Sequence, residues 1–254
     1  MATERKQLLL DEVNRTGKVV TSEVAARLGV SDVTIRADLD ALERRGRLTR
    51  THGGAVATTR DSIPAIVSFD SRMSRQHDAK RRIALAAATY LHSNQTVIFD
   101  AGTTTHHLAF VMPTVEDLTV YTSGIPIAQQ LMTVDGVETH LLGGRVDPQW
   151  LSTVGNPREQ GIDDLLVHTL FLGGYAIDED LDIVDVSRNL ARNKIQFSRR
   201  ARTTILMLDS TKWNRPAAIK VMPVCNANIV ITDDGISDET KSRLRKLKCE
   251  LIIV

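Results

Sequence analysis

Short runs of apolar, mostly β-branched residues recur through the C-terminal two thirds of the chain and alternate with helical segments. The runs are TVIFDAG, LTVYTSG, THLLGG, HTLFLGG, TTILMLDST, NIVITDD and ELIIV. Such an alternation is typical of a parallel sheet that is covered by helices on both faces. The sequence therefore predicts an α/β fold for residues 72–254, with a doubly wound, mainly parallel sheet.

The pattern in residues 1–57 predicts three short helices and then a two-stranded hairpin. Thr21 or Ser22 is expected to cap the second helix, because either hydroxyl can accept a free backbone N–H. Gly29 supplies a tight turn before the third helix, and Ser31 is expected to cap that helix. The hairpin segment, RLTRTHGGAV, is basic.

Three helices followed by a basic hairpin are the arrangement of a winged helix-turn-helix domain, whose third helix enters the major groove of DNA. The whole chain has a net charge of +1, so the placement of the arginines, and not the total charge, indicates duplex DNA as a partner. The predicted DNA contacts are Ser31, Asp32, Val33, Thr34, Arg36, Ala37, Arg47, Arg50 and His52. Alternatively, Arg36, Asp40 and Arg44 form ion pairs along a solvated helix face.

The segment IFDAGTTTHHLA, at 98–109, indicates a strand, a glycine turn and a helix that begins with three threonines. Free backbone N–H groups at a helix N-terminus, together with hydroxyls, can bind a phosphate. Other strand ends meet at the same edge of an open α/β sheet. The predicted ligand-binding residues are Asp100, Gly102, Thr103, Thr104, Thr105, Thr122, Ser123, Gly143, Gly144, Arg145, Lys194, Asp209 and Lys212. Alternatively, Thr103 and Thr104 only cap the helix, and each lysine is a solvated surface residue.

We assign no residue to a metal site or to catalysis. His106 and His107 are adjacent, and neighbouring residues of a helix point about 100° apart, so no metal site is expected. Asp100 and Asp209 could act as bases in an enzyme, but no arrangement of nucleophile, base and orienting group is recognisable.

The stretch VSDVTIRADLDALERRGRLTRTHGGA, at 30–55, resembles the signature of the DeoR family of bacterial transcriptional regulators. Ala37 stands where the family has a second arginine. The family's C-terminal motifs also have counterparts, namely Asp100 with Gly102 to Thr105, Thr122 with Ser123, Gly143 with Gly144, Lys194, and Asp209 to Lys212. Ser123 replaces the usual asparagine. The family's C-terminal domain resembles ribose-5-phosphate isomerase and the coenzyme A transferases, and it typically senses a phosphorylated sugar.

Together these observations predict three segments: a winged helix-turn-helix DNA-binding domain at 1–57, a linker at 58–71, and an effector-binding and oligomerisation domain at 72–254. The expected function is a repressor of a sugar-metabolism operon. It would bind a double-stranded operator as a dimer or tetramer, respond to a phosphorylated sugar and need no cofactor. The alternatives are a sugar-phosphate isomerase-like enzyme that carries a DNA-binding module, and a pure interaction protein.

The chain shows no signal peptide and no apolar run of the roughly 18 residues that cross a bilayer. We therefore expect a cytoplasmic protein without a membrane partner. Cys225 and Cys249 form no metal-binding or disulfide pattern and are expected to be buried free thiols.

Overall fold

The computed structural model describes residues 2–44, 48–51, 53–56 and 69–254. The chain forms two compact units, Met1–Val67 and Ser68–Val254. The first helix that the structure describes after residue 56 begins at Phe69, so the last three residues of the predicted linker are helical. No helix of the described chain has the length and apolarity needed to cross a membrane.

The smaller unit contains three helices and a three-stranded antiparallel sheet with the order β1-β3-β2. Its elements are α1 (Ala2–Thr16), β1 (Lys18–Val20), α2 (Thr21–Leu28), α3 (Asp32–Arg44), β2 (Thr49–Thr51) and β3 (Gly54–Val56). The three predicted helices and the hairpin are present, and β1 is an additional strand. With three residues, β1 is too short for an alternating pattern to predict it.

Buried apolar side chains join the helices of this unit, among them Leu9 of α1 and Ile35 and Leu39 of α3. Asp38 is also buried, and it accepts a 2.5 Å hydrogen bond from Nε of Arg5. This ion pair fixes α3 against α1 within a small apolar core.

The turn between α2 and α3 follows the prediction, whereas the start of α2 does not. Gly29 adopts φ +64°, in the left-handed region, and Ser31 Oγ accepts a 3.2 Å hydrogen bond from the Thr34 N–H. The prediction that Thr21 or Ser22 caps α2 is wrong, because Val20 occupies the N-cap position. Thr21 instead donates its backbone N–H to the Gly53 carbonyl at 2.8 Å, which ties α2 to the turn of the hairpin.

The larger unit is built on a seven-stranded parallel sheet with the order β15-β14-β12-β9-β4-β5-β6, as the apolar runs predict. The strands of the whole larger unit are β4 (Thr96–Phe99), β5 (Leu118–Thr122), β6 (Val137–Leu141), β7 (Arg145–Asp147), β8 (Ser152–Val154), β9 (Val167–Leu172), β10 (Ala176–Ile177), β11 (Asp182–Asp185), β12 (Ala201–Leu208), β13 (Ile219–Pro223), β14 (Ile229–Thr232) and β15 (Glu250–Ile253).

Helices cover both faces of this sheet, and buried apolar clusters lie on each side. The helices are α4 (Phe69–Ser74), α5 (His77–Ala88), α6 (Thr103–Phe110), α7 (Ile125–Leu131), α8 (Pro157–Gln160), α9 (Arg188–Ser198) and α10 (Asp238–Leu244), with 3-10 turns at Ser210–Lys212 and Val224–Asn226. The chain builds the sheet outward from β4 to β6 and then returns to add β9, β12, β14 and β15 on the other side of β4. The strand order therefore reverses between β4 and β9, which is where open α/β sheets bind ligands.

Two small antiparallel sheets, β7-β8 and β10-β11-β13, were not predicted. Their strands are two to five residues long, too short for a clear periodicity. The cysteine prediction is also corrected, because Cys225 is exposed and Cys249 is half-buried, although both are free.

We expect Phe99→Ala to lower the free energy of unfolding of the larger unit by about 3–5 kcal/mol, through lost burial and the resulting cavity. Phe99 and Phe171 are fully buried on adjacent central strands, with ring centroids 5.2 Å apart. Both tryptophans, Trp150 and Trp213, lie in this unit and are buried. Their fluorescence during urea denaturation therefore reports on this unit alone. Phe110→Ala is the control, since that ring is 55% exposed, and a comparable loss there would contradict the expectation.

Candidate functional site

The exposed face of α3 is the candidate DNA-reading surface of the smaller unit. Val33 is 72% exposed, and Arg36 and Ala37 are exposed beside it, while Ile35 is fully buried. The remaining predicted contacts at the start of this helix, Ser31, Asp32 and Thr34, are exposed or half-buried. Among the side chains of α3 that the structure describes, Arg36 presents a guanidinium to a partner, and Arg36 makes no ion pair with any described residue.

Arg50 has partners on α3. Its Nη1 lies 3.3 Å from the Arg36 carbonyl oxygen and 3.3 Å from Asp40 Oδ1, and its backbone N–H donates to Glu43 Oε1 at 2.7 Å. Asp40 thus pairs with the hairpin and not along the helix with Arg36. Arg50 holds β2 against α3, a role that sequence reasoning missed. The predicted contacts Arg47 and His52 lie outside the described residues.

A cavity in the larger unit lies at the carboxyl ends of β4 and β9, where the strand order reverses. It encloses about 70 Å³. On this scale one water needs roughly 10–15 Å³, so the cavity has room for a group about the size of a phosphate. Its lining is Arg72, Ala101, Gly102, Thr103, Thr104, Trp150, Gly173, Gly174, Tyr175, Asp185, Leu190, Lys194 and Lys212.

The N-terminus of α6 forms one wall of this cavity. No side chain caps the helix, and the first helical residues, Thr103 to Thr105, donate their backbone N–H groups to none of the described residues. Thr105 Oγ1 donates to the Asp100 carbonyl at 2.6 Å and to the Gly102 carbonyl at 3.0 Å, which fixes the turn that precedes the helix. Free amides at a helix N-terminus attract an anion.

A buried ion pair lies under this wall. Lys194 on α9 donates to Asp100 Oδ2, and the same oxygen accepts a 3.2 Å hydrogen bond from the Gly173 N–H. The exposed fractions of the two side chains are 3% and 2%. Burial raises the pKa of Asp100 above its ordinary value, and the Lys194 ammonium opposes that rise. Asp100 therefore joins α9 to the ends of β4 and β9.

Two further cations border the cavity. Burial lowers the pKa of Arg72 to about 10, and it lowers the pKa of Lys212, which Asp209 opposes. Arg72 therefore stays charged at neutral pH. Across the cavity, burial raises the pKa of Asp185, and Lys194 opposes that rise. With Asp100 engaged by Lys194, the remaining groups favour a bound anion.

The structure brings some of the predicted ligand-binding residues together and separates others. Gly102, Thr103, Thr104, Lys194 and Lys212 line the cavity. The others lie beneath or beyond it: Asp100, Thr105, Thr122, Ser123, Gly143, Gly144, Arg145 and Asp209.

Each residue outside the cavity has an identifiable position. Thr122 is buried, and its Oγ1 accepts a hydrogen bond from the Gly124 N–H; Ser123 is buried beside it. Gly143 and Gly144 lie between β6 and β7. Arg145 borders a separate cleft of about 290 Å³. Asp209 caps the 3-10 turn Ser210–Lys212 through the Thr211 N–H.

Sequence reasoning missed Arg72, Trp150, Tyr175 and Asp185, all of which line the cavity. Tyr175 comes three residues after β9, whose apolar run was predicted, and could have been found there. Asp185 ends β11, a four-residue strand too short to be predicted. Arg72 lies in a short helix next to the predicted linker, and Trp150 lies between two three-residue strands, so neither carried a local signal.

The two histidines of α6 are packed within the protein. The His106 ring lies 5.4 Å from that of Phe69 and 4.8 Å from that of Phe110. His107 contacts the ring of His77 at 5.0 Å, and burial lowers the pKa of His107 to about 4. The described residues contain no group of three or more side chains suited to hold a metal ion.

The comparisons with known proteins agree with both halves of this description. The DeoR-like helix-turn-helix domain matches residues 5–61, and the DeoR C-terminal sensor domain matches residues 75–234. The chain belongs to the DeoR family. It is therefore a DNA-binding transcriptional regulator, and the prediction of a regulator over an enzyme is confirmed.

Two relatives illustrate the family. The putative aga operon transcriptional repressor of Escherichia coli O157:H7 is 31% identical over 252 residues, which cover 99% of this chain and 94% of the relative. The L-fucose operon activator of Haemophilus influenzae is 29% identical and covers 92% of this chain and 93% of that protein. Among solved structures, a D-ribose-5-phosphate isomerase in complex with phospho-erythronic acid matches with a TM-score of 0.41 and 13% identity over 54% of each chain.

We expect Arg36→Ala to reduce discrimination between the preferred duplex and a scrambled duplex by about 1–3 kcal/mol, since a guanidinium on this face can bond a guanine edge. The preferred duplex is obtained by in vitro selection with the full chain, and fluorescence anisotropy gives both affinities.

The control for this variant is Arg202→Ala, which removes the same charge from an exposed position of the larger unit. It should leave discrimination unchanged. If Arg36→Ala weakens binding to both duplexes equally, Arg36 binds the phosphate backbone and does not read bases.

We expect Lys194→Met to lower the free energy of unfolding of the larger unit by about 3–5 kcal/mol at neutral pH, because it leaves Asp100 buried without its partner. Without Lys194, the pKa of Asp100 in the folded state lies further above the ordinary value of 3.8. The unfolded state keeps that ordinary value. The folded state then binds the proton more tightly, so the deficit should shrink as the pH falls. Tryptophan-monitored urea denaturation at two pH values measures it. Adding Asp100→Asn should reduce this pH dependence to the part that comes from Asp185, whose raised pKa Lys194 also opposes. An undiminished pH dependence would count against Asp100 as its source.

Proposed function

We propose that this regulator represses an operon for sugar metabolism and that a phosphorylated sugar in the cavity controls its affinity for the operator. The observation that carries the proposal is that Arg72 and Lys212 line the cavity beside the N-terminus of α6, while Lys194 is paired with Asp100. A phosphoryl group placed there would accept hydrogen bonds from free amides and face an excess of positive charge.

Other residues of the lining offer contacts for the sugar, which would extend beyond the phosphate-sized cavity. Trp150 and Tyr175 supply aromatic faces, with ring centroids 6.5 Å apart, and Asp185 supplies a carboxylate that can accept hydrogen bonds from sugar hydroxyls. Aromatic side chains beside convergent polar groups are typical of small-molecule sites. Repression is further supported by the aga operon relative, a putative repressor, and a sugar operon is supported by the L-fucose operon relative, an activator.

Control of DNA binding requires that the sugar phosphate bind two conformations of the regulator with different affinities. A coupling of about 1–3 kcal/mol would change operator affinity roughly 5–150-fold. We further propose that the regulator acts in the cytoplasm as a homo-oligomer, because a two-fold arrangement of DNA-binding domains reads two half-sites spaced by whole turns of the duplex.

The test measures binding of the selected duplex by the full chain in the presence of ribose 5-phosphate, fructose 6-phosphate or glucose 6-phosphate. Each is compared with its unphosphorylated sugar. We expect a phosphorylated member to change the Kd roughly 5–150-fold and its unphosphorylated counterpart to have no effect.

Lys212→Ala should abolish this response, because it removes a cation from the cavity. Lys248→Ala, at an exposed position outside the cavity, should retain the response. Equal responses to phosphorylated and unphosphorylated sugars would contradict the proposal, as would a Lys212→Ala protein that binds the duplex more weakly yet responds normally.

A further inference from the structure

Arg72 on α4 has a fixed orientation at the cavity. Its guanidinium carbon lies 4.6 Å from the ring centroid of Trp150 and 5.6 Å from that of Phe69. Stacking on aromatic faces orients a guanidinium plane and leaves the N–H groups at its edge free to donate. The side chain is thus held in position for a hydrogen-bond acceptor in the plane of its fork.

That acceptor is missing among the described residues. Nε and Nη2 of Arg72 are buried from solvent, and neither has a hydrogen-bond partner. Asp185 exerts an electrostatic attraction on Arg72 but forms no ion pair with it. A buried, charged donor without a partner is unfavourable, and a guanidinium fork matches the oxygens of a phosphoryl group in a bidentate manner.

We propose that Arg72 binds the phosphoryl group of the effector opposite the amides of α6, and that this contact fixes α4. The proposal rests on the function given above and deepens it in two ways. It assigns a binding residue that no motif of the sequence indicates, and it names the helix through which occupancy of the cavity reaches the rest of the chain.

Contacts with neighbouring elements hold α4 in place. No residue of this six-residue helix is fully buried. Beside the stacking of Arg72, the Phe69 ring lies 5.4 Å from that of His106, Met73 Sδ lies 3.5 Å from His106 Nδ1, and Lys80 Nζ donates to the Arg72 carbonyl. A helix this short is marginal by itself. A phosphoryl group that bridges Arg72 and α6 would therefore add a further anchor to α4.

The position of α4 in the chain gives this anchor its consequence. Residues 57–68 join β3, the last described strand of the DNA-binding unit, to Phe69, the first residue of α4. An effector that fixes α4 also fixes the point from which this connection departs. Occupancy of the cavity thereby influences the motional freedom of the DNA-binding unit through the covalent connection.

The first experiment measures the melting temperature of the full chain in inorganic phosphate against chloride at equal ionic strength. The wild-type protein should be stabilised by phosphate, and Arg72→Met should lose roughly tenfold to a hundredfold in phosphate affinity. Arg72→Lys keeps the charge without the fork and should lose less. Arg75→Met removes an exposed charge one residue after the same helix, outside the cavity, and should bind phosphate within about twofold of wild type. Equal phosphate affinity in Arg72→Met and wild type overturns the proposal, as does the absence of any stabilisation of wild type.

The second experiment measures hydrogen–deuterium exchange in peptides that cover α4. Phosphate should slow exchange in α4 of the wild-type and Arg75→Met proteins and leave it unchanged in Arg72→Met. If exchange in α4 is the same with and without phosphate while phosphate binds, the role of α4 is wrong. Repeating both experiments with ribose 5-phosphate, fructose 6-phosphate and glucose 6-phosphate separates a sugar phosphate from free phosphate as the occupant.

The failures of this proposal and of the proposed function are distinguishable. Retention of phosphate binding in Arg72→Met overturns the assignment of Arg72 alone and leaves the proposed control by a sugar phosphate standing. Conversely, phosphate binding that requires Arg72, combined with operator affinity that no sugar phosphate changes, would overturn the proposed regulation and retain the assignment of Arg72.

Discussion

The cavity at the carboxyl ends of β4 and β9 depends on one buried ion pair, between Lys194 of α9 and Asp100 at the end of β4. Removing two charges from water is costly, and the cost is offset only where the geometry is good and the remaining hydrogen-bonding capacity is used. Here the same carboxylate oxygen also accepts the Gly173 N–H, so that two strand ends and a helix meet at a single group. Because Lys194 neutralises Asp100, the charges of Arg72 and Lys212 are left for a ligand.

The parts of the fold that follow from local pattern were predictable. The parallel sheet follows from its buried apolar strands, and the start of α6 follows from a glycine turn before three threonines, since both features are encoded by neighbouring residues. Arg72 and Trp150 were not predictable, because they reach the cavity through packing between segments distant in sequence. For Ser123, the local pattern predicted a binding residue that the cavity does not contain. Ser123 follows a strand, but its buried side chain does not line the cavity.

The family signature in the smaller unit contains residues of two kinds. Arg36 faces outward and is available to DNA, whereas Asp38 is buried and paired with Arg5 of α1. Arg50, predicted as a DNA contact, binds α3 through Asp40 and the Arg36 carbonyl. Much of what the signature specifies is therefore the packing that supports a reading surface.

The contacts of the hairpin have a consequence for how such a regulator can be controlled. The Thr21 N–H holds the hairpin turn to α2, and Arg50 holds its first strand to α3, so the hairpin and the recognition helix are joined by direct contacts. In the homo-oligomer proposed above, an effector could therefore act by changing the separation and angle of two such domains on the duplex, while the contacts inside each domain stay unchanged.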